Sequence, residues 1–250
     1  MIARQRHDLI VEAVKRAGTV TVPELAESFN ISQSTIRRDL EKLDAAGRLM
    51  KVHGGAVSLE DEHVRRDLTL PERAELHTAE KLSIVRYAAS LVGPDDFVYI
   101  DAGTTCRALV DALQERSATY VTDSLGTALA LCDRGFSTIV LGGQVKNATE
   151  AVIGPEAVDA LSRFHFSLGF WGTNGIDLAQ GFTTVERQEA QIKALSMAQT
   201  QASGRYVICD ATKFDRIAPV SFAPVDFAHV LTNDIPAAYR DLDSMIVVAG

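Results

Sequence analysis

Cysteine is scarce. Cys106, Cys132 and Cys209 are the only three, and no two form a C-x-x-C pair. That excludes a thiolate zinc site and a disulfide framework as organising devices. It points to a reducing cytoplasm. No apolar run approaches the roughly 20 residues that a membrane-spanning helix needs. The run MIARQRHDLIVEAVKRAG breaks its apolar pattern with charges, so no secretory signal is expected there. The chain has neither a G-x-x-x-x-G-K-[ST] loop nor a G-x-G-x-x-G turn. No nucleotide cofactor is therefore expected. His63, His77, His165 and His229 share no ligand spacing with one another or with nearby acids, so no metal is expected either. Internal repeats and low-complexity segments are also missing.

What is present is an ordinary globular composition with an uneven charge. The 250 residues carry a net charge of −8, which argues against nucleic-acid binding if taken whole. Residues 1–57 alone sum to +2, and the remainder to −10. A mildly basic head on an acidic body suggests that only the head meets a polyanion.

The head, residues 1–57, reads as three short helices and a hairpin. Leu9, Ile10, Ala13, Val14 and Ala17 have helical spacing over residues 3–17, and Gly18 stops that helix. In TVPE, Thr21 is a cap with Glu24 three residues on and Pro23 in the first turn, and Leu25, Ala26 and Phe29 form the inward side of this second helix. Ser32 caps a third helix that runs to about Ala46 before Gly47. RLMKVHGGAV follows as strand, Gly-Gly turn and strand.

At 100° per residue, the third helix puts Ile36, Leu40 and Leu43 on one side and Ser34, Arg37, Arg38 and Glu41 on the other. Gln33 and Ser34 stand at its N-terminal end, with Thr35 on the flank. A short helix anchored behind and polar in front, after a turn from another short helix, is the recognition element of a helix-turn-helix. In a major groove, Arg bonds guanine bidentately, and Gln or Ser reaches base edges. The basic hairpin, with Arg48, Lys51 and His53, suits the phosphates as a wing. The candidate contacts to double-stranded operator DNA are Thr21, Gln33, Ser34, Thr35, Arg37, Arg38, Lys51 and His53. A solvated arginine pair is the simpler reading of Arg37-Arg38 alone. The cap, the buried face and the basic hairpin together outweigh it.

Residues 58–80 are polar without periodicity and read as a linker. From Lys81 to residue 250 the runs FVYID, TYVTD, STIVLGG, FSLGFWG, RYVICD, HVLTND and MIVVA alternate with amphipathic segments. That pattern predicts an α/β domain with a mostly parallel sheet.

VYIDAGTTCRALVDAL places a turn containing Gly103, Thr104 and Thr105 between a strand ending at Asp101 and a helix. Backbone N–H groups and hydroxyls at a helix start form an anion site. Ligands of open α/β sheets lie at these strand ends. YVTDS repeats the arrangement with Thr122, Asp123 and Ser124, and the next strand ends in Gly142 and Gly143, which let a backbone approach a ligand. Taken singly, Thr-Thr is commonly a helix cap and Gly-Gly a turn. Further on lie Asn174 and Gly175 in GTNGID, and Lys213 after a strand ending at Asp210. Glu186 and Lys193, seven apart, are expected to share one helix face. On spacing alone these acids and lysines suit a polyol phosphate or surface ion pairs equally. The cysteines read as buried small hydrophobes.

The segment VPELAESFNISQSTIRRDLEKLDAAGRLMKVHGGAV closely resembles the winged helix-turn-helix of DeoR-type bacterial transcriptional regulators, with T-I-R-R-D-L and H-G-G-A as its specific elements. PER…EK at 71–81, DAGTT at 101–105, LGG at 141–143, GTNGID at 172–177, GFTT at 181–184 and DATKF at 210–214 resemble that family's sensor domain. The resemblance implies a sensor fold similar to ribose-5-phosphate isomerase and a phosphorylated sugar as effector. It implies a repressor more often than an activator. On that basis Asp101, Gly103, Thr104 and Thr105 would hold the phosphate, and Asn174, Glu186, Lys193 and Lys213 would meet the sugar. The family commonly reads Thr-Asn-Ser where this chain has Thr122-Asp123-Ser124. A carboxylate facing a phosphate is repulsive, so Asp123 either points away or pairs with a cation or a ligand hydroxyl.

The leading expectation is a ligand-responsive repressor of a carbohydrate operon, a homodimer or homotetramer in the cytoplasm, without enzymatic turnover or cofactor. A sugar-phosphate isomerase or hydrolase with a DNA-binding head stays open as an alternative, because the body has acids and lysines capable of proton transfer. A constitutive DNA-binding protein whose body only oligomerises stays open too.

Overall fold

The structure, a computed structural model, describes residues 3–17, 19–52, 54–57 and 78–248. The chain divides into two compact units, one through Arg66 and one from Asp67.

In the first unit, α1 (Ala3–Ala17) turns Ile10, Val11 and Val14 inward and leaves Leu9 exposed, so its buried stripe is narrower than the apolar spacing. α2 (Val22–Phe29) begins at Thr21. The Thr21 hydroxyl oxygen accepts from the Glu24 N–H, and the Glu24 carboxylate accepts from the Thr21 N–H and hydroxyl. This reciprocal box satisfies backbone donors that the first turn leaves open. α3 (Gln33–Ala45) starts where the Ser32 hydroxyl accepts from the Thr35 N–H. Ile36, Leu40 and Leu43 pack beneath it with Ile10, Val14, Leu25 and Leu49. Each such side chain contributes about 1.5–3 kcal/mol when fully buried.

An antiparallel sheet in the order β1-β3-β2 completes the unit, from β1 (Thr19–Thr21), β2 (Met50–Val52) and β3 (Gly55–Val57). β2 and β3 are the hairpin read from the sequence. β1 gives no signal there, since three residues carry no legible alternation. Gly18 and His53 lie outside the described residues, as do residues 58–77 of the expected linker. The last three residues of that linker instead begin a helix, α4 (Thr78–Ser90).

The second unit is built on a seven-stranded sheet whose pairings are all parallel, in the order β15-β14-β12-β9-β4-β5-β6. Its strands are β4 (Phe97–Ile100), β5 (Thr119–Thr122), β6 (Ser137–Val140), β9 (Leu168–Trp171), β12 (Arg205–Ile208), β14 (His229–Thr232) and β15 (Met245–Val247). These are the seven apolar runs of the sequence.

Side chains alternate across the sheet. Val98, Ile100, Tyr120, Phe170, Ile208 and Leu231 share a cluster with Ile84 and Val85 of α4 and with Leu109 and Val110 of α5 (Thr104–Ala112). Tyr99, Val121, Trp171, Val207 and Val230 share another with Leu161 of α7 (Pro155–Leu161) and with Ile192 and Met197 of α8 (Arg187–Ala198). α6 (Leu125–Asp133) follows β5.

Two smaller antiparallel groups complete the unit. β7 (Gln144–Lys146) pairs with β8 (Ala151–Ile153). β10 (Gly175–Asp177), β11 (Gly181–Thr184) and β13 (Val220–Ala223) form a three-stranded sheet. Their strands of three or four residues leave no clear pattern in the sequence.

β5 and β6 lie to one side of β4, and β9 lies to the other. The strand order therefore reverses between β4 and β9. Ligands of open α/β sheets bind outside the carboxyl ends of the strands at such a switch point.

Candidate functional site

In the first unit α3 presents one polar face. Gln33, Ser34, Arg37, Arg38 and Glu41 are exposed, and Thr35 is half-buried. Arg37 donates to Gln33 Oε1 at 3.2 Å. The Ser34 and Thr35 hydroxyls lie 3.1 and 2.9 Å from that of Ser32. Arg37 and Lys51 line one cleft of about 450 Å³ with Val22, Leu40, Asp44, Gly54 and Gly55. Lys51 Nζ is 2.8 Å from Glu41 Oε1, and its N–H donates to Asp44 Oδ1 at 3.0 Å. The wing is thus fastened to the helix it accompanies. Thr21 is the member of the sequence-predicted set whose hydroxyl serves the α2 cap.

In the second unit, Asp101 stands at the carboxyl end of β4, fully buried. Its Oδ2 accepts from the Gly172 N–H at 2.9 Å, across the switch point, and from Lys193 Nζ of α8. Lys193 Nζ also donates to the Gly172 carbonyl at 3.2 Å. The next residues lead into α5. Gly103 occupies its N-cap and supplies no side chain to bond the first N–H groups. Thr104 Oγ1 accepts from Lys81 Nζ at 3.5 Å, and Lys81 is only 8 % exposed. A helix start with backbone donors, a hydroxyl and an ammonium beside it has the composition of an anion site.

Asp123, at the end of β5, is buried as well. Burial, and then the charge of Asp101, raise its carboxyl well above the usual aspartate range. Asp101 is also raised by burial, with Lys193 opposing. Among the described residues, Oδ1 of each carboxyl has no hydrogen-bond partner. Glu189 lies nearby, accepting from the Thr149 hydroxyl at 2.6 Å and from Lys146 Nζ at 3.3 Å. Burial would raise Glu189, but Lys193, Thr149 and Lys146 together hold it below the ordinary value. Burial would likewise lower Lys193, and Asp101 and Glu189 reverse this. Lys193 thus pairs with Asp101 and Lys146 with Glu189, and the charge of Lys193 offsets only part of the burial of Asp123.

Several sequence expectations are corrected by this geometry. Glu186 and Lys193 do not share a helix face. Glu186 is the N-cap of α8, and its carboxylate accepts from the Glu189 N–H at 2.9 Å. The acid one turn before Lys193 on that helix is Glu189. Gly143 approaches protein rather than leaving room for a ligand. A Cβ there would lie 2.6 Å from the Ile153 carbonyl, whereas at Gly142 nothing lies within 4 Å. Gly175 sits inside β10, where a Cβ would meet the Arg216 carbonyl at 2.3 Å. Cys132 is exposed, unlike Cys106 and Cys209.

Other residues have local bonding roles. Thr122 Oγ1 accepts from the Ser124 N–H, and Ser124 Oγ caps α6 through the Thr127 N–H. Asn174 Oδ1 accepts from the Thr184 hydroxyl at 3.0 Å. Thr105 is half-buried in the first turn of α5. Lys213 ends the short turn after β12 and makes no ion pair with Asp101 or Asp123.

Residues 76–234 match the DeoR C terminal sensor domain, and residues 6–62 match the DeoR-like helix-turn-helix domain. The chain belongs to the DeoR family of transcriptional regulators. It is 37 % identical to the HTH-type transcriptional regulator FruR of Bacillus subtilis (strain 168), over 94 % of this chain and 92 % of that protein. It is 31 % identical to the glycerol-3-phosphate regulon repressor of Escherichia coli (strain K12), over 93 % and 91 %. Among solved structures, ribose 5-phosphate isomerase from Plasmodium falciparum overlaps 56 % of this chain and 53 % of its own, with 13 % identity and a TM-score of 0.40.

For this DeoR-family regulator, the sequence reading missed four residues at its two sites. Lys81 and Glu189 were both legible. Lys81 starts the amphipathic segment before DAGTT, and Glu189 stands four residues before Lys193, the spacing at which helix side chains meet. Tyr99 reads as core, and it is core. Its hydroxyl nevertheless feels Asp123 and Asp101, and burial with those charges raises it well above the usual phenol range. Asp39, buried on α3, looks like a surface charge in sequence.

Proposed function

We propose that this regulator represses a carbohydrate-metabolism operon and that a phosphorylated sugar or polyol releases it from its operator. The observation that carries the reading is the convergence, at the switch point between β4 and β9, of the uncapped α5 start, Thr104 and Lys81 with Asp101, Asp123 and Lys193. Gly103, Thr104, Thr105 and Lys81 take the phosphate. Asp101, Asp123 and Lys193 face the hydroxyl-bearing end, and Asn174, Glu189 and Lys213 border it. Gln33, Ser34, Thr35, Arg37 and Arg38 read bases in the major groove, and Lys51 and His53 follow the phosphates. The protein works as a cytoplasmic homodimer or homotetramer, so that two heads reach two half-sites. It acts by binding, not turnover. The relative named for a glycerol-3-phosphate regulon supports a phosphorylated effector of this class.

Fluorescence anisotropy on DNA flanking its own gene, at fixed salt, tests this. The expected result is tight binding that one phosphorylated sugar reverses and its unphosphorylated parent does not. A tenfold release corresponds to about 1.4 kcal/mol of coupling. Binding that no phosphorylated compound alters would refute the effector assignment. Conversion of a sugar phosphate during the assay would replace binding with turnover.

A further inference from the structure

On α3, Asp39 directly follows Arg37 and Arg38, yet its side chain is turned inward and is only 5 % exposed. Both of its oxygens are held by α1. Arg6 Nε donates to Oδ2 at 2.6 Å, and Arg6 Nη2 donates to Oδ1 at 3.1 Å. His7 Nε2 lies 3.0 Å from Oδ1. Two adjacent residues of one helix thus grip both oxygens of a single carboxylate on another. The guanidinium does so as a fork, which fixes angle as well as distance.

The rest of the α3 interface cannot do this. Ile36, Leu40 and Leu43 make apolar contacts that favour burial but tolerate small rotations about the helix axis. A roll of about 10° moves a group about 6 Å from the axis by about 1 Å. That displacement is enough to spoil a bidentate hydrogen bond between an arginine on the opposite face and a base edge. On the far side, the wing braces α3 through Lys51 to Glu41 and Asp44. Those contacts are solvent-exposed and weak. The buried fork is the rigid one.

We infer that Arg6, Asp39 and His7 form a positioning clamp that fixes the roll of the recognition helix, so that Asp39 controls which base pairs Arg37 and Arg38 read without touching DNA. Asp39 is a positioning residue, and Arg6 serves as its partner rather than as a phosphate contact.

The test uses the full-length protein on two duplexes at fixed salt. One is the sequence that the wild-type protein enriches from a random pool, and the other is a scramble of equal length. Failure to enrich any sequence would count against base reading by the head as a whole, separately from the clamp. Asp39→Asn keeps shape and removes the charge that holds the fork. Its discrimination between the duplexes is expected to fall at least tenfold, with binding to the scramble and the salt dependence unchanged. Arg6→Lys, which keeps the charge but loses the fork, is expected to fall between that variant and wild type. Equal loss on both duplexes in Arg6→Lys, or in Arg6→Gln together with a shallower salt dependence, would make Arg6 a phosphate contact and overturn the clamp. Unchanged discrimination would overturn it as well. Should Asp39→Asn fail to fold, as judged by its thermal transition, His7→Phe, which keeps a ring but has no nitrogen to bond Asp39, decides. It leaves the Arg6 fork intact and removes one grip, so a smaller but selective loss supports the clamp and wild-type discrimination refutes it.

Discussion

Asp123 shows how far one residue departs from its neighbours' pattern. It is the third carboxyl in a buried cluster where Lys193 pairs with Asp101 and Lys146 with Glu189. Burial, reinforced by the Asp101 charge, therefore lifts its carboxyl well above the ordinary range. A carboxyl raised by folding binds its proton more tightly in the folded state. Its stabilising contribution is full below about pH 4, the unfolded aspartate value. It fades as pH climbs toward the folded value. Asp123→Asn, which is neutral throughout, is expected to remove that decline. The gain near neutral pH should be on the order of 1 kcal/mol, with the opposite sign to an average substitution. Chemical denaturation at a series of pH values reads this directly. A variant that loses stability equally from pH 5 to pH 8 would mean that Asp123 is ionised and paired.

The elements divide by how much of their physics is local. α2 and α3 were legible because their start signals are local. A hydroxyl at Thr21 or Ser32 and donors two or three residues on are all that a cap requires. The inner strands of the parallel sheet were legible because both of their faces are largely buried, which writes each as a short continuous apolar run, whereas the edge strand β6 is apolar in sequence yet largely exposed. β1, β7, β8, β10, β11 and β13 were not legible, because their pairing is set by distant partners rather than by their own three or four residues. The site followed the same division. Asp101, Thr104 and Asp123 could be placed from the strand ends alone. Gly143 and Gly175 could not be interpreted, because the reason for each glycine is a carbonyl from another strand or loop. Asp39 was hidden for a related reason, since its partners lie 32 and 33 residues away.

That buried pairing carries a prediction for the head. Burial would raise the Asp39 carboxyl, but the bonds and charges of Arg6 and His7 overcome it and leave it below the ordinary value. A depressed carboxyl stabilises the fold above its unfolded value, near pH 4, and that stability is lost as pH falls through the lower folded value. Acid titration followed by helical circular dichroism should show the first unit weakening below about pH 4. Asp39→Asn should flatten that limb while costing stability at pH 7, because it leaves the Arg6 guanidinium without its counter-ion. An acid limb unchanged in Asp39→Asn would place the responsible carboxylate elsewhere.

For the whole molecule, the uneven charge becomes a statement about coupling. The acidic body offers DNA no net electrostatic attraction, so effector binding there changes operator affinity only if effector and operator favour different states of the same chain. Reciprocity then sets a quantitative condition. If a sugar phosphate weakens operator binding by some factor, saturating operator must weaken sugar-phosphate binding by the same factor. Isothermal titration of the effector, with and without a saturating operator duplex, measures the second factor independently of anisotropy. Equal factors are expected, together with thermal stabilisation of the sensor unit by about 2.7 kcal/mol at one hundred times the effector Kd. Operator-independent effector affinity would mean that ligand and DNA do not compete for states. The release seen by anisotropy would then have to come from direct competition of the anion for the basic head, which added salt would mimic and Thr104→Val would leave intact.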